Sequence, residues 1–182
     1  MIFILQCLYF MLPAYIANMA PVFAQKFGVL KFLARPVDGG RTFHGRPIFG
    51  AHKTWRGFVV GVAMAIVVAW LQNLLYPISV FKNLSLLNYS ETNLWLLGFF
   101  LGFGALFGDL IKSFFKRRVN LKPGAPWIPF DQIDFVIGAL VFVNFIFRTS
   151  WSIIVVVLLV TPVLHILTNQ IGFILKIKNT KW

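Results

Sequence analysis

Acidic side chains and cysteines are both scarce in this sequence of 182 residues, which contains five acidic residues and one cysteine. One cysteine cannot form a disulfide within the chain, and Cys7 is too isolated for a metal site. Charged residues of both signs make up only 12% of the chain, whereas hydrophobic residues make up 59%. A soluble domain of this size could not bury so much apolar surface, so the composition indicates a membrane protein.

Five apolar stretches are long enough, or nearly long enough, to cross a bilayer as helices. They cover Ile2 to about Ala24, Phe58 to Tyr76, Leu94 to Ile111, Phe135 to Phe147, and Trp151 to Leu175. The fourth stretch is short, and only Arg148 to Ser150 separate it from the fifth. A re-entrant hairpin is therefore the alternative to two separate spans here. We predict an all-α polytopic membrane bundle of about five transmembrane helices, formed by one domain over residues 1–182.

The basic residues are distributed unequally between the two sides of such a bundle. If the spans alternate, fifteen of the seventeen lysines and arginines lie on the side that holds residues 25–56, 112–134 and the carboxyl-terminal tail. By the positive-inside rule this side is cytoplasmic, which places the amino terminus outside and the carboxyl terminus inside. The net charge of +12 is therefore confined to segments beside the membrane. We expect a plasma-membrane protein with two functional cytoplasmic loops, and phospholipid or nucleotide phosphate as partner instead of nucleic acid.

Asp109 lies near the end of the third apolar stretch, where a carboxylate is costly unless it is paired or bound to a metal. Lys112, Ser113 and Lys116 follow at i+3, i+4 and i+7, so a continuing helix would present all four on one face. Carboxylate oxygens suit Mg²⁺, and ammonium groups suit phosphate oxygens. An ion pair of Asp109 with Lys112 or Lys116 is the structural alternative. The glycines of this stretch have spacings typical of close helix contact.

Asp131 and Asp134 are three residues apart at the predicted start of the fourth helix, after a turn signal at Lys122 to Gly124. Taken alone, this pair is equally compatible with helix capping and with metal binding. Together with Asp109, it places three carboxylates among five basic residues over 26 positions. That combination favours a site that holds Mg²⁺ and a triphosphate together.

The first basic loop combines glycines with Arg41, Arg46, Lys53 and Arg56. Glycines let the backbone approach a ligand closely, and the basic side chains could bind further phosphate oxygens. Attraction to lipid headgroups is the alternative for each arginine. Asn18, near the cytoplasmic end of the first span, could either bond a neighbouring helix or face the site.

The segment from Gly108 to Asp134 resembles the CDP-archaeol synthase family of CTP-dependent lipid cytidylyltransferases. The resemblance is carried by Gly108-Asp109-Leu110-Ile111-Lys112-Ser113-Phe114-Phe115-Lys116-Arg117, by Lys122-Pro123-Gly124, and by Pro129-Phe130-Asp131-Gln132-Ile133-Asp134. It extends to Tyr15–Pro21, Gly45–Gly50 and Lys53–Gly57. The larger phosphatidate cytidylyltransferases are similar, but they carry a His-Gly-Gly element where this sequence has Pro-Trp-Ile-Pro-Phe.

The resemblance implies transfer of CMP from CTP to a membrane lipid phosphate, with an archaeol-type ether lipid as acceptor and Mg²⁺ as cofactor. The products would be CDP-lipid and pyrophosphate, formed without a protein nucleophile. The catalytic residues would be Asp109, Lys112, Lys116, Arg117, Lys122, Asp131 and Asp134, of which Asp109, Asp131 and Asp134 would hold the metal. The predicted substrate-binding residues are Ser113, Arg46, Lys53, Thr54, Arg56 and Asn18.

Two other functions fit parts of the pattern. A CDP-alcohol phosphotransferase is suggested by Asp38-Gly39 followed by Arg41, but the second half of that family's motif is absent. A non-catalytic protein that binds or transports anionic lipids would explain the basic loops. It would not explain three aspartates on the same side of the membrane.

Overall fold

The computed structural model describes residues 1–121 and 125–175. Within these ranges the chain forms six α-helices, a 3₁₀ turn at Lys31–Leu33 and one β-hairpin. The helices are α1 (Ile2–Lys26), α2 (Trp55–Leu75), α3 (Ser79–Leu84), α4 (Leu94–Arg118), α5 (Phe130–Val143) and α6 (Trp151–Ile174). The hairpin consists of β1 (Thr42–Phe43) and β2 (Arg46–Pro47), which pair in antiparallel fashion.

The predicted all-α membrane bundle is confirmed. Among the described residues, α1, α2, α4 and α6 are long and apolar enough to cross a bilayer. The predicted fourth span differs, because α5 begins at Phe130 and ends at Val143. Its 14 residues extend only about 21 Å, less than the hydrocarbon thickness of about 30 Å. A count of five complete spans therefore stays a prediction.

Residues 144–150 connect α5 to α6 and are held by their own side chains. Asn144 Oδ1 accepts a hydrogen bond of 2.9 Å from the Thr149 backbone N–H and lies 3.1 Å from the Thr149 hydroxyl oxygen. Ser150 then caps α6, where its hydroxyl accepts from the Ile153 N–H. This closed connection reverses the chain, so α6 returns toward the end of the bundle where α5 began.

Glycines on α4 let its backbone approach two neighbouring helices, as their spacing predicted. On one side, Gly98 faces the backbone of α2. On the other, a Cβ on Gly104 would lie 2.5 Å from the Gly138 carbonyl oxygen, and a Cβ on Gly108 would collide with the Asp134 carbonyl oxygen. Larger side chains at these positions would separate α4 from α5, and the acidic start of α5 would move away from α4.

The helix ends alternate, and five of them meet at one end of the bundle. A single cavity there is lined by the carboxyl-terminal parts of α1, α4 and α6 and by the amino-terminal parts of α2 and α5. This is the arrangement that alternation of five segments predicts. Assignment of this end to the cytoplasm stays a prediction.

Candidate active site

The cavity at this end of the bundle has a volume of about 900 Å³. It brings together eleven of the predicted site residues, namely Asn18, Lys53, Thr54, Arg56, Asp109, Lys112, Ser113, Lys116, Arg117, Asp131 and Asp134. Two of the predicted residues are not among those that line it. Arg46 lies on the hairpin, and Lys122 lies outside the described residues.

Lys112 lies at the centre of the acidic residues. Its Nζ is 3.0 Å from Asp109 Oδ1, 3.2 Å from Asp131 Oδ1 and 2.8 Å from Asp134 Oδ2. All four side chains are largely buried, the most exposed of them at 17%. Three carboxylates from two helices therefore converge on one ammonium group, at the place where α4 and α5 are in backbone contact.

Two further lysines complete this cluster. Lys53, from the first loop, forms an ion pair with Asp109 Oδ2. Lys116 Nζ lies 3.0 and 3.1 Å from the two carboxylate oxygens of Asp131, and it donates a 2.6 Å hydrogen bond to the Ala125 carbonyl oxygen. The ion pair expected between Asp109 and Lys112 is present, while Lys116 pairs with Asp131. Three ammonium groups thus balance three carboxylates.

The helix-capping alternative for the aspartates at the start of α5 is wrong. Pro129 occupies the capping position, and no side chain caps the helix. Asp131 Oδ2 instead accepts a 2.6 Å hydrogen bond from the Trp127 backbone N–H, which orders the segment before the helix. Asp134 lies in the second turn and faces Lys112. Both carboxylates are therefore directed into the cavity.

The carboxylates fit a hard divalent cation by their chemistry, because Mg²⁺ prefers oxygen ligands. Asp134 Oδ1 is buried and makes no hydrogen bond with any described residue. The described residues contain no group of three acidic or histidine side chains spaced to hold a metal as they stand. The Lys112 ammonium lies at the point on which the three carboxylates converge.

Asp38 organises the first loop. Its carboxylate accepts hydrogen bonds from the backbone N–H groups of Gly40 at 2.9 Å, Phe49 at 2.9 Å and Gly50 at 3.1 Å. Partial burial alone would raise the pKa of Asp38, but these N–H donors hold it below its usual value. The side chain is not among those that line the cavity. Asp38 therefore gives no support to a CDP-alcohol phosphotransferase, and its contacts instead close the loop that leads to Lys53.

Two arginines attach the hairpin to the end of α4. The Arg46 guanidinium donates to the Arg118 carbonyl oxygen, and the Arg118 guanidinium donates to the carbonyl oxygens of Phe43, Arg46 and Pro47. Arg118 also lies over the rings of Phe43 and Phe114. Arg46 is not among the residues that line the cavity, and its guanidinium is bonded to the end of α4. Its role in substrate binding stays a prediction.

Thr54 and Ser113 are two of the predicted substrate-binding residues that line the cavity. Thr54 lines the cavity but also caps α2, where its hydroxyl accepts a 3.2 Å hydrogen bond from the Gly57 N–H. Ser113 is 6% exposed and lies on the cavity face of α4. Their predicted roles in substrate binding stay predictions.

The cavity also contains residues that the sequence reasoning missed. His165 and Asn169 of α6 line it, as do Gln25 and Lys26 of α1. A signal for the α6 pair was available, because Thr161, His165 and Asn169 recur every four residues in a largely apolar span. Polar residues at that spacing lie on one helix face, and such residues are costly in a membrane unless they have a role.

Comparison with known proteins shows the family to which the chain belongs. The sequence model of the CDP-archaeol synthase family matches residues 1–182. The CDP-archaeol synthase of Methanococcoides burtonii is 41% identical over 182 residues, which covers 94% of this chain and 100% of the relative. That of Pyrococcus furiosus is 38% identical over 180 residues and covers 98% of each chain. A solved structure, described as an intramembrane enzyme for archaeal membrane lipids biosynthesis, matches with a TM-score of 0.69 at 29% identity, covering 89% of this chain and 91% of that one. This chain belongs to the CDP-archaeol synthase family.

Proposed function

We propose that the cavity around Lys112 is the active site of a membrane cytidylyltransferase that faces the cytoplasm from the plasma membrane. The reaction is transfer of CMP from CTP to an archaeol-type lipid phosphate, which yields CDP-lipid and pyrophosphate. One observation carries this assignment. Three carboxylates and three ammonium groups meet inside a cavity of about 900 Å³ at the end of a membrane helix bundle.

The chemistry requires charge stabilisation and positioning, and the cavity offers both. A phosphate oxygen of the lipid forms a bond to the α-phosphorus of CTP, and the bond from that phosphorus to the pyrophosphate oxygen breaks. No protein nucleophile is needed, so the protein contributes by holding two anionic substrates together. Lys53, Lys112 and Lys116 lie where they can offset the negative charge of the phosphates.

Two guanidinium groups add to the positive charge of these three lysines. Arg56 at the start of α2 and Arg117 near the end of α4 both line the cavity. Each has a buried Nε that makes no hydrogen bond within the described ranges. A guanidinium presents donors in a fork that matches two phosphate oxygens. We assign Arg56 and Arg117 to phosphate binding on this basis.

The residues that would hold Mg²⁺ are Asp109, Asp131 and Asp134. A divalent ion bound there with the triphosphate supplies charge neutralisation and orients the leaving group. Before substrate arrives, Lys112 neutralises these carboxylates, which keeps the cluster stable inside the membrane bundle.

An assay in detergent tests the reaction and the site together. Purified protein is incubated with labelled CTP, Mg²⁺ and an ether-linked dialkylglycerol phosphate, and CDP-lipid and pyrophosphate are quantified. We expect both products from the wild type, and a loss of at least about 100-fold in Asp131→Asn and Asp134→Asn, because charge stabilisation of the transition state is removed.

Glu91→Gln is the matched control, because Glu91 is an exposed acid in the connection between α3 and α4 and does not line the cavity. It should retain full activity. Binding of lipid phosphate by the wild type without any CDP-lipid would support the non-catalytic alternative and contradict the proposal. Full activity in both aspartate variants would show that the metal assignment is wrong even if the reaction is right.

A further inference from the structure

The β-hairpin of the first loop is too small to be stable by itself. Its strands β1 and β2 have two residues each, and an isolated two-stranded hairpin is marginally stable at best in water. The Ile48 N–H adds one backbone hydrogen bond of 3.2 Å to the Arg41 carbonyl oxygen. The position of the hairpin must therefore depend on contacts with the rest of the protein.

Arg118, the last residue of α4, supplies such contacts. Its guanidinium donates to the carbonyl oxygens of Phe43 at 2.6 Å, Arg46 at 3.3 Å and Pro47. Its Cζ lies 4.7 Å from the centre of the Phe114 ring and 5.4 Å from that of Phe43. In return, the Arg46 guanidinium donates to the Arg118 carbonyl oxygen, at the end of a helix where backbone carbonyls run out of helical partners. The hairpin and α4 are thus joined in both directions.

Arg118 does not line the cavity, but the segment that follows the hairpin does. Phe49, Gly50, His52 and Lys53 belong to this segment, which leads from β2 to the start of α2. The first loop connects α1 to α2, so it lies outside the membrane helices, on the side from which a water-soluble nucleotide arrives. Arg118 can therefore affect the cavity through the loop without touching a ligand in it.

The segment of residues 49–53 is anchored at both ends. At its base, the Val37 N–H donates a 2.7 Å hydrogen bond to the Lys53 carbonyl oxygen. The Asp38 carboxylate joins the two sides of the loop to each other. At its other end, the segment continues into the hairpin that Arg118 holds. Replacement of Arg118 should therefore release the far end of the loop and leave its base attached.

We propose that Arg118 is a positioning residue of the nucleotide site, which keeps residues 49–53 at the cavity wall by holding the hairpin on α4. A loop that is already in place loses little conformational freedom when a ligand binds, so the affinity is higher than for a mobile loop. If the loop is in place in only a fraction of the molecules, the apparent affinity falls by that fraction. This assignment rests on the proposed function of the cavity, because CTP is the ligand that the ordered loop would favour.

Binding and kinetic measurements on the same variants test this assignment. Wild type and Arg118→Ala in detergent are titrated with CTP and Mg²⁺ without lipid, and formation of CDP-lipid is then followed at saturating CTP. We expect Arg118→Ala to bind CTP about three- to thirtyfold more weakly, the effect of one or two lost hydrogen bonds. The kcat at saturating CTP should stay within about twofold of wild type, because bound CTP keeps the loop in place.

Two further variants separate positioning from charge. Arg118→Lys keeps the positive charge but loses the planar fork that reaches several carbonyl oxygens, so it should still bind CTP at least about threefold more weakly than wild type. Arg148→Ala removes an exposed arginine from the connection between α5 and α6, at the opposite end of the bundle, and should bind CTP as the wild type does. Wild-type affinity in Arg118→Lys, or equal weakening in Arg148→Ala, would overturn the assignment, because charge alone would then explain the effect.

Hydrogen exchange of backbone amides reports on the loop without any ligand. In Arg118→Ala, peptides that cover residues 41–50 should exchange at least about tenfold faster than in wild type, while peptides from α1 should not change. Unchanged exchange in the loop would overturn the assignment. A lower kcat with unchanged affinity for CTP would also overturn it, because it would indicate a structural role alone. If the wild type neither binds CTP nor forms CDP-lipid, the proposed function is wrong, whatever the exchange of the loop.

Discussion

Lys112 lies among three carboxylates that would repel one another strongly without it. At separations of 2.8 to 3.2 Å its ammonium group offsets that repulsion, and all four side chains are largely buried. Removal of one partner from a buried ion pair typically destabilises a protein by about 3–5 kcal/mol, because the remaining charge is left uncompensated. Lys112 therefore contributes to the stability of the substrate-free protein, in addition to its expected contact with phosphate.

Asp38 allows a prediction on pH dependence. Its folded-state pKa is lowered by backbone N–H donors, so its stabilisation is complete above the ordinary pKa of an aspartate, about 4. The stabilisation is lost as the pH falls through the lower, folded-state value. Thermal unfolding of wild type and Asp38→Asn should therefore differ most near pH 7, and the difference should shrink below about pH 4.

Glu91→Gln is a suitable control for this measurement, because Glu91 is exposed and lies away from the loop. Its unfolding temperature should follow that of the wild type at every pH. A difference between wild type and Asp38→Asn that stays constant from pH 7 to about pH 2 would contradict the assigned role of the carboxylate.

The contact between α4 and α5 determines the geometry of the charged cluster. Lys112 is on α4 and two of its three carboxylate partners are on α5, so their separation depends on how closely the two backbones approach. Gly104 and Gly138 leave no room for a side chain between the helices. Close packing of small residues is a principal source of helix association in membranes, where the lipid removes the hydrophobic driving force.

Replacement of Gly108 by alanine tests this contact. The added methyl group would collide with the Asp134 carbonyl oxygen, so α5 must shift. We expect a loss of about 1–3 kcal/mol in stability, the usual effect of overpacking. Activity should fall by a larger factor than a mild loss of stability explains, because Asp134 moves relative to Lys112. Thermal unfolding and the CDP-lipid assay measure the two effects.

Ile111→Val is the control for this substitution, since Ile111 is 44% exposed on the same helix and does not line the cavity. It should change neither property substantially. Normal stability and activity in Gly108→Ala would show that the two helices tolerate a wider separation than the structure indicates.

Alternation of the helices brings the charged residues that line the cavity to one end of the bundle. The first loop and the segment between α4 and α5 are far apart in the chain, yet both contribute to one cavity. The opposite end has the short helix α3 and the connection between α5 and α6. A substrate from water and a substrate from the bilayer can therefore meet at the same site, as a lipid cytidylyltransferase requires.

Cysteine labelling tests the predicted orientation. In a Cys7→Ala background, Glu91→Cys and Arg41→Cys introduce single thiols at exposed positions at opposite ends of the bundle. A membrane-impermeant maleimide should label Glu91→Cys in intact cells and Arg41→Cys only after permeabilisation, because the positive-inside rule places the first loop inside. The reverse pattern would show the opposite orientation, and identical labelling of both would contradict alternation.

Local patterns in the sequence were sufficient to predict several features of the fold and of the site. Apolar content identified a membrane bundle, and glycine spacing predicted close packing of α4. The positions of Asp109, Lys112 and Lys116 predicted one shared helix face, which α4 provides by continuing to Arg118. These features follow from the fixed period of a helix and from the energy of polar groups in lipid, so they need no knowledge of neighbouring elements.

Other features depended on tertiary structure alone. Nothing in the sequence indicates that Lys53 pairs with Asp109, that Lys112 lies between three carboxylates, or that Arg46 bonds the end of α4. His165 and Asn169 of α6 line the cavity because the chain reverses after α5. Helical spacing determines which residues share a face but not how helices are rotated and how closely they approach. Backbone contact at glycines such as Gly108 decides that approach, and with it the geometry of the site.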